Sequence, residues 1–243
     1  MAEILAVDLD RQGRIGGESI IVIDQNNNGS YADFGADAMI VGRGKIACFL
    51  SKAVNVGDEV LAIMALSYKT AGLLTNDAIA ATVMSNIGLA KALAAMNVNH
   101  IMSDVGDRYV MEQMIASGAI LGGEDSGHMI LLSRHTTGDG ILAALQLLTV
   151  MRTENKPLSA LAGVMTVFPQ TLMNVAVQHK PDLETIPEIR AAIQAVETAL
   201  KGNGRVLVRY SGTQPVCRVM VEAATMEDAT HHCNRIVSTI KKH

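Results

Sequence analysis

AIAATVMSNIGLAKALAAMNV, residues 78–98, changes its period halfway along. Its first nine residues read as a buried strand, and from Ile87 onward Ile87, Leu89, Leu93 and Met96 fall where a helix would bury them. A strand running directly into a helix is the repeating unit of an α/β fold, and the neighbouring segments continue the alternation. Upstream, EVLAIMALSYKTA (59–71) reads as a helix with Val60, Met64 and Leu66 among its apolar positions. Downstream come a short strand around HIMSD (100–104), a helix from Arg108 to about Ser117, and a strand pair around GGEDSGHMILL (122–132). A closing helix begins at TTGDG (136–140), where Thr137 can cap the N-terminus and Asp139 suits the positive end of the dipole. Ile141, Leu145, Leu148 and Met151 give it a stripe at helical spacing.

A second unit starts near Phe168-Pro169, because the residue ahead of a proline is biased out of helix. QTLMNVAV (170–177) is strand-like, and a polar link containing Pro181 leads to a helix with Pro187 in its first turn. That helix carries Ile189, Ile193, Val196 and Leu200 on one face and ends at Gly202 and Gly204. RVLVRY (205–210) and VCRVMVEA (216–223) alternate like neighbouring strands around the turn SGTQP (211–215). Thr225 with Asp228 resembles a capping box for a last helix whose stripe runs Met226, Ala229, Cys233, Ile236, Ile240. The expected fold class is therefore α/β plus α+β: a mixed α/β domain over residues 73–166, then a small α+β domain over 167–243 with its helices on one sheet face. Residues 1–72 form a separate opening region, in which ESIIVID (18–24) and GADAMIV (35–41) read as strands between repeated glycines.

Bulk composition narrows the function classes. The 243 residues, 49% hydrophobic and 18% charged, suffice for one large core or roughly two to three small ones. A net charge of −4 and a pI near 6.0 give no general attraction for nucleic acid or an anionic membrane. An anion site must then be a local cluster of donors, and the expected partner is small. Cys48, Cys217 and Cys233 lie far apart, form no C-x-x-C pair and read as reduced thiols. MAEILAVDLDR opens with acids where a signal peptide is basic, and no run approaches about 18 apolar residues, so a cytoplasmic location is expected.

Three clusters could carry chemistry. Arg209-Tyr-Ser-Gly-Thr-Gln-Pro, followed by Arg218, combines guanidinium groups, two hydroxyls and backbone N–H groups beside a glycine, all of them donors suited to a phosphate dianion. The same turn also fits an ordinary hairpin loop. Gly122-Gly-Glu-Asp-Ser-Gly-His128 puts a carboxylate, a hydroxyl and an imidazole on one short loop, where Glu124 and Ser126 could grip a sugar diol and His128 could move a proton, or it is a polar turn. In VGDRY (105–109), Arg108 opens a helix and could add an anion contact, or be a solvated helix-start arginine. His231 and His232, adjacent on a helix, are expected to point apart, and neither they nor His100 and His135 have a partner at metal-ligand spacing, so no metal site is expected.

VMSNIGLAKAL, VGDRYVMEQM, GGEDSGHMILL, TTGDGILAALQLL and RYSGTQPVCRVMVEA, in that order and spacing, closely resemble the third and fourth domains of bacterial phosphoglucosamine mutases, a branch of the α-D-phosphohexomutases. The resemblance covers about residues 57–243. It implies that Glu124 and Ser126 bind sugar hydroxyls, that His128 lies beside the reacting hydroxyl as proton acceptor, and that Arg209, Ser211, Gly212, Thr213 and Arg218 hold the phosphate that is not transferred. Gln214 stands where this family usually has Glu, and Tyr210 where Pro or Lys is frequent. The family also uses a phosphoserine, on a Thr-Ala-Ser-His-Asn-Pro-like loop that this sequence does not contain, and magnesium on an Asp-Gly-Asp-Gly-Asp-Arg loop. The nearest match to the second is Asp8, Asp10 and Arg11, with Ala6 in place of the first aspartate, so tight magnesium binding is not expected. Residues 1–72 would be a divergent remnant of the family's second domain. The implied role is a sugar-phosphate-binding part of a mutase that interconverts glucosamine 6-phosphate and glucosamine 1-phosphate, inactive alone and dependent on a chain that supplies the phosphoserine. The alternative is a non-catalytic binder of hexose or hexosamine phosphates, or a truncated pseudoenzyme.

Overall fold

The computed structural model describes residues 57–242 throughout and, before them, the backbone of five strands and the start of a helix. These strands are β1 (Glu3–Val7), β2 (Arg14–Ile15), β3 (Glu18–Asp24), β4 (Ala38–Val41) and β5 (Ile46–Cys48). They form one antiparallel sheet in the order β1-β3-β4-β5, with β2 beside β3. The run 18–24 is a strand, as is the 38–41 part of the second run, whereas residues 35–37 and Asp8, Asp10 and Arg11 lie outside the described residues. The chain divides into two compact units, Met1–Thr166 and Val167–His243.

In the first unit, helix α1 (Val56–Thr70) precedes β6 (Ala78–Thr82), α2 (Ile87–Ala95), β7 (Asn99–Ser103), α3 (Asp107–Ser117), β8 (Leu121–Gly123) and β9 (Met129–Leu131). The sheet order is β7-β6-β8-β9; β6 is parallel to β7 and β8, and β9 returns antiparallel as a hairpin. Every residue of β6 is buried, as expected for a central strand covered on both faces. Ala78 and Ala80 pack with Val110 and Met114 of α3, so the alternating Ile79 and Ala81 face the opposite layer. Helix α1 packs on β8, α2 and α4 (Gly140–Glu154), although it lies on the N-terminal side of the 72/73 division expected from sequence. Within α1, Val60 and Met64 are buried but Leu66 is exposed.

Two expectations for α4 need correction. Asp139, in an extended conformation, is the N-cap and accepts from Leu142 N at 2.9 Å, so Thr137 is not the cap. The buried face is Ala143, Ala144, Leu147, Leu148 and Val150, while Ile141 is exposed and Leu145 and Met151 are only half-buried. The helix is apolar nearly all round, so spacing could not select its buried side; small alanines at 143 and 144 let it approach its neighbours.

The second unit contains β10 (Gln170–Ala176), α6 (Pro187–Leu200), β11 (Arg205–Tyr210), β12 (Val216–Glu222) and α7 (Met226–Ile240), after a short helix α5 (Leu158–Leu161) that closes the first unit. The sheet is antiparallel in the order β10-β12-β11. Both helices bury one face on it, in a core of Val175, Ile189, Val196, Cys217, Val219, Val221, Cys233 and Ile236. Met226 lies outside that stripe and is exposed. Thr225 caps α7 by accepting from Asp228 N at 3.1 Å, but Asp228 takes the threonine hydroxyl at 2.8 Å rather than completing a reciprocal box. Cys217 and Cys233 are free and buried, and burial pushes the Cys233 thiol up to about 11. His231 and His232 do not point apart: their rings meet edge to face at 5.4 Å. No described helix is long and apolar enough to cross a membrane.

Candidate functional site

In a parallel sheet the loops at the C-terminal strand ends are the usual place for a ligand. In the first unit those loops follow β6, β7 and β8, and the last two carry candidate residues. Glu124–Gly127 is a tight turn: Gly127 N donates to Glu124 O at 3.0 Å, and Glu124 N donates to His128 O at 3.1 Å. Gly127 closes it at φ +98°, a conformation that favours glycine. The Glu124 carboxylate accepts from Gly106 N at 2.9 Å, joining the β8 loop to the β7 loop. Ser126 is exposed and its hydroxyl has no hydrogen-bond partner among the described residues.

His128 is approached from two sides. Its Nε2 lies 3.7 Å from Asp107 Oδ2, is shielded from solvent, and has no hydrogen-bond partner among the described residues. Gly138 presses on the ring so closely that a Cβ there would sit 2.2 Å from Nε2. The turn before it is backed by Gly57 of α1, which donates its N–H to Asp125 O at 3.2 Å and whose Cβ, if present, would meet the Glu124 carbonyl oxygen at 2.1 Å. Arg108 is not brought to this loop. Its guanidinium is 80% exposed and engages Glu112 one turn along α3 at 2.9 Å. Asp107, its neighbour, faces the imidazole instead. Sequence reading missed Asp107, Gly57 and Gly138; only the VGDR run hinted at the first, and nothing local marks the glycines.

In the second unit Arg209 and Arg218 are direct cross-strand partners on β11 and β12, with Asn174 of β10 opposite Arg218. Two like charges placed opposite each other are unfavourable unless an anion or a polar partner offsets them. Arg218 Nη2 donates to Gln214 Oε1 at 3.4 Å; this neutral amide leaves the guanidinium charge uncancelled where a glutamate would not. Ser211 is buried, accepts from Gln214 N through Oγ at 3.2 Å, and donates its backbone N–H to Val216 O at 2.9 Å. Its hydroxyl hydrogen remains available to a ligand. Gly212 and Thr213 are exposed, and their backbone N–H groups have no protein partner among the described residues. Lys180, in the segment read only as a polar link, donates to Ser211 O at 2.5 Å. Burial pushes the Tyr210 phenol up, with smaller contributions from Cys217 and Asp182. The loop thus gathers arginine, hydroxyl and amide donors, an arrangement capable of holding a dianion.

Among the described residues no group of three or more His, Cys, Asp or Glu side chains could hold a metal ion.

Comparison with known proteins adds three findings. Residues 56–168 match "Phosphoglucomutase/phosphomannomutase, alpha/beta/alpha domain III", and residues 172–238 match the C-terminal domain of the same family. Phosphoglucosamine mutase of Syntrophus aciditrophicus is 53% identical over 189 residues, covering 78% of this chain and 42% of that protein. The enzyme of the same name from Desulforapulum autotrophicum is 54% identical over 187 residues, with coverages of 76% and 40%. The chain therefore spans about two fifths of the length of these relatives. Among solved structures, the fold is similar to that of Aspergillus fumigatus N-acetylphosphoglucosamine mutase, at a TM-score of 0.66 and 17% identity over 87% of this chain and 47% of that one. A second structure of the Aspergillus enzyme, in complex with GlcNAc-6P and magnesium, gives a TM-score of 0.64 at 17% identity over 86% of this chain and 50% of that one.

Proposed function

The chain belongs to the phosphoglucomutase/phosphomannomutase family, as its domain III and C-terminal domain, and from that premise we propose that it serves the phosphoglucosamine mutase reaction in the cytoplasm. Its substrates are glucosamine 6-phosphate and glucosamine 1-phosphate, and the phosphoserine comes from a complementing domain. Glu124 and Ser126 take sugar hydroxyls. Arg209, Ser211, Gly212, Thr213 and Arg218 hold the phosphate that stays in place. In the transfer step the sugar hydroxyl oxygen bonds to phosphorus as the serine O–P bond breaks. The hydroxyl proton passes to His128, and the serine oxygen, which keeps the bonding pair, takes a proton from solvent. Magnesium, when bound in such enzymes, neutralises charge on the moving phosphoryl group.

The observation that carries this reading is the 53% identity to a phosphoglucosamine mutase over 189 residues, with both loops inside the family-matched residues 56–168 and 172–238. The test mixes the chain with the separately produced N-terminal domains of the Syntrophus aciditrophicus enzyme and follows glucosamine 1-phosphate by phosphorus NMR. Turnover is expected only in the mixture, and His128→Ala should abolish it. Turnover by the chain alone, at a rate typical of enzymes of about 1 to 1,000 per second, would refute the need for a complementing domain. Sugar-phosphate binding that depends on Arg209, with no turnover in any mixture, would replace this reading with that of a non-catalytic binder. Arg209→Ala should weaken such binding roughly ten- to a hundredfold, since hydrogen bonds to charged groups contribute about 1.5 to 3 kcal/mol each.

A further inference from the structure

We propose that Lys180 is a positioning residue of the 211–215 loop, which aims the Gly212 N–H at a bound phosphate by holding the carbonyl of Ser211; the role in binding rests on the phosphate reading above. Ser211 is fixed at three points. Its N–H is bonded to Val216 O at 2.9 Å, its Oγ receives Gln214 N at 3.2 Å, and its carbonyl receives Lys180 Nζ at 2.5 Å. The peptide joining Ser211 to Gly212 is planar and trans, so its C=O and N–H point in opposite directions. Lys180 on the carbonyl side therefore sends the Gly212 N–H the other way. Gly212 is exposed, and its N–H has no protein partner among the described residues. The segment that carries Lys180 is itself tied to the loop, because Val177 N donates to Pro215 O at 2.9 Å. Lys180 makes no ion pair among the described residues, so its charge also stands behind the loop, uncancelled by a carboxylate.

An alternative is that Lys180 merely ends on a convenient carbonyl, as exposed lysines do. The two differ at one amide. In the nitrogen-15-labelled full chain without ligand, Lys180→Met should move the Gly212 amide resonance, because the attached carbonyl loses its donor, while Lys180→Arg should largely restore it. On titration with inorganic phosphate, the wild type should shift the Gly212 amide. Lys180→Met should weaken phosphate binding by about tenfold, the loss of the aimed Gly212 N–H bond to the charged phosphate, and shrink the Gly212 response; Lys180→Arg should recover both. Thermal unfolding and Lys180→Gln, run alongside, separate a folding defect from a loop effect. Unchanged Gly212 resonance and unchanged phosphate affinity in folded Lys180→Met would overturn the role of Lys180 alone. A wild type that does not respond to phosphate would overturn the phosphate reading and the donor role together.

Discussion

A Cβ placed on Gly138 would lie 2.2 Å from His128 Nε2 and 2.4 Å from Cε1, so any side chain there must push the imidazole aside. Gly138→Ala should therefore move the His128 ring resonances in proton NMR, at a stability cost of about 1 to 3 kcal/mol, while phosphate affinity in the second unit stays unchanged. Ring resonances that do not move would show that the contact relaxes without cost to the imidazole. At this scale the sequence is a partial guide. Glu124, Ser126 and His128 are legible because their chemistry is concentrated in one short loop. Gly138, Asp107 and Lys180 are not, because each matters through a partner brought near by folding; Lys180 lies 31 residues before the carbonyl it binds. Arg108 shows the opposite limit, since a helix-start arginine with Glu112 four residues on has a partner on its own helix surface.

At the scale of elements, β11 and β12 are joined by more than their ladder. Glu222 is fully buried and receives Arg205 Nε at 2.7 Å and Nη2 at 3.4 Å, across a directly opposed pair. Arg205→Met would leave a buried carboxylate without its guanidinium, which should destabilise the protein by about 3 kcal/mol, the lower end for breaking a buried pair. Urea unfolding monitored by circular dichroism measures it, and a loss under about 1 kcal/mol would mean that the pair is solvated rather than buried. Elements were the most readable level. Helices with a polar side, such as α6 and α7, revealed their buried faces through spacing, whereas α4, apolar on nearly every side, did not. Thr137 and Asp139, two residues apart, are both good capping types, and only the extended backbone at Asp139 decides between them.

At the scale of the whole molecule, the second unit closes a core of its own between one sheet and two helices. Residues 167–243 produced alone should fold, giving a dispersed NMR spectrum and a single cooperative thermal transition. A molten or unfolded product would show that this core depends on the rest of the chain. The first unit is built differently. The turn at Glu124–Gly127 is supported by Gly57 from far upstream and by Gly106 across the sheet, and the His128 ring that follows it by Gly138 beyond the hairpin, so no short peptide containing it could hold the same shape. Contacts between residues so distant in sequence carry a loop-closure cost before they reward it. During synthesis, the imidazole of His128 would reach its final setting only once the chain had passed Gly138 and joined β6, β7 and β8. If the turn binds sugar hydroxyls as proposed, its affinity should double as a measure of how completely the unit has folded, and a form in which Gly57, Gly106 or Gly138 is out of place should bind more weakly.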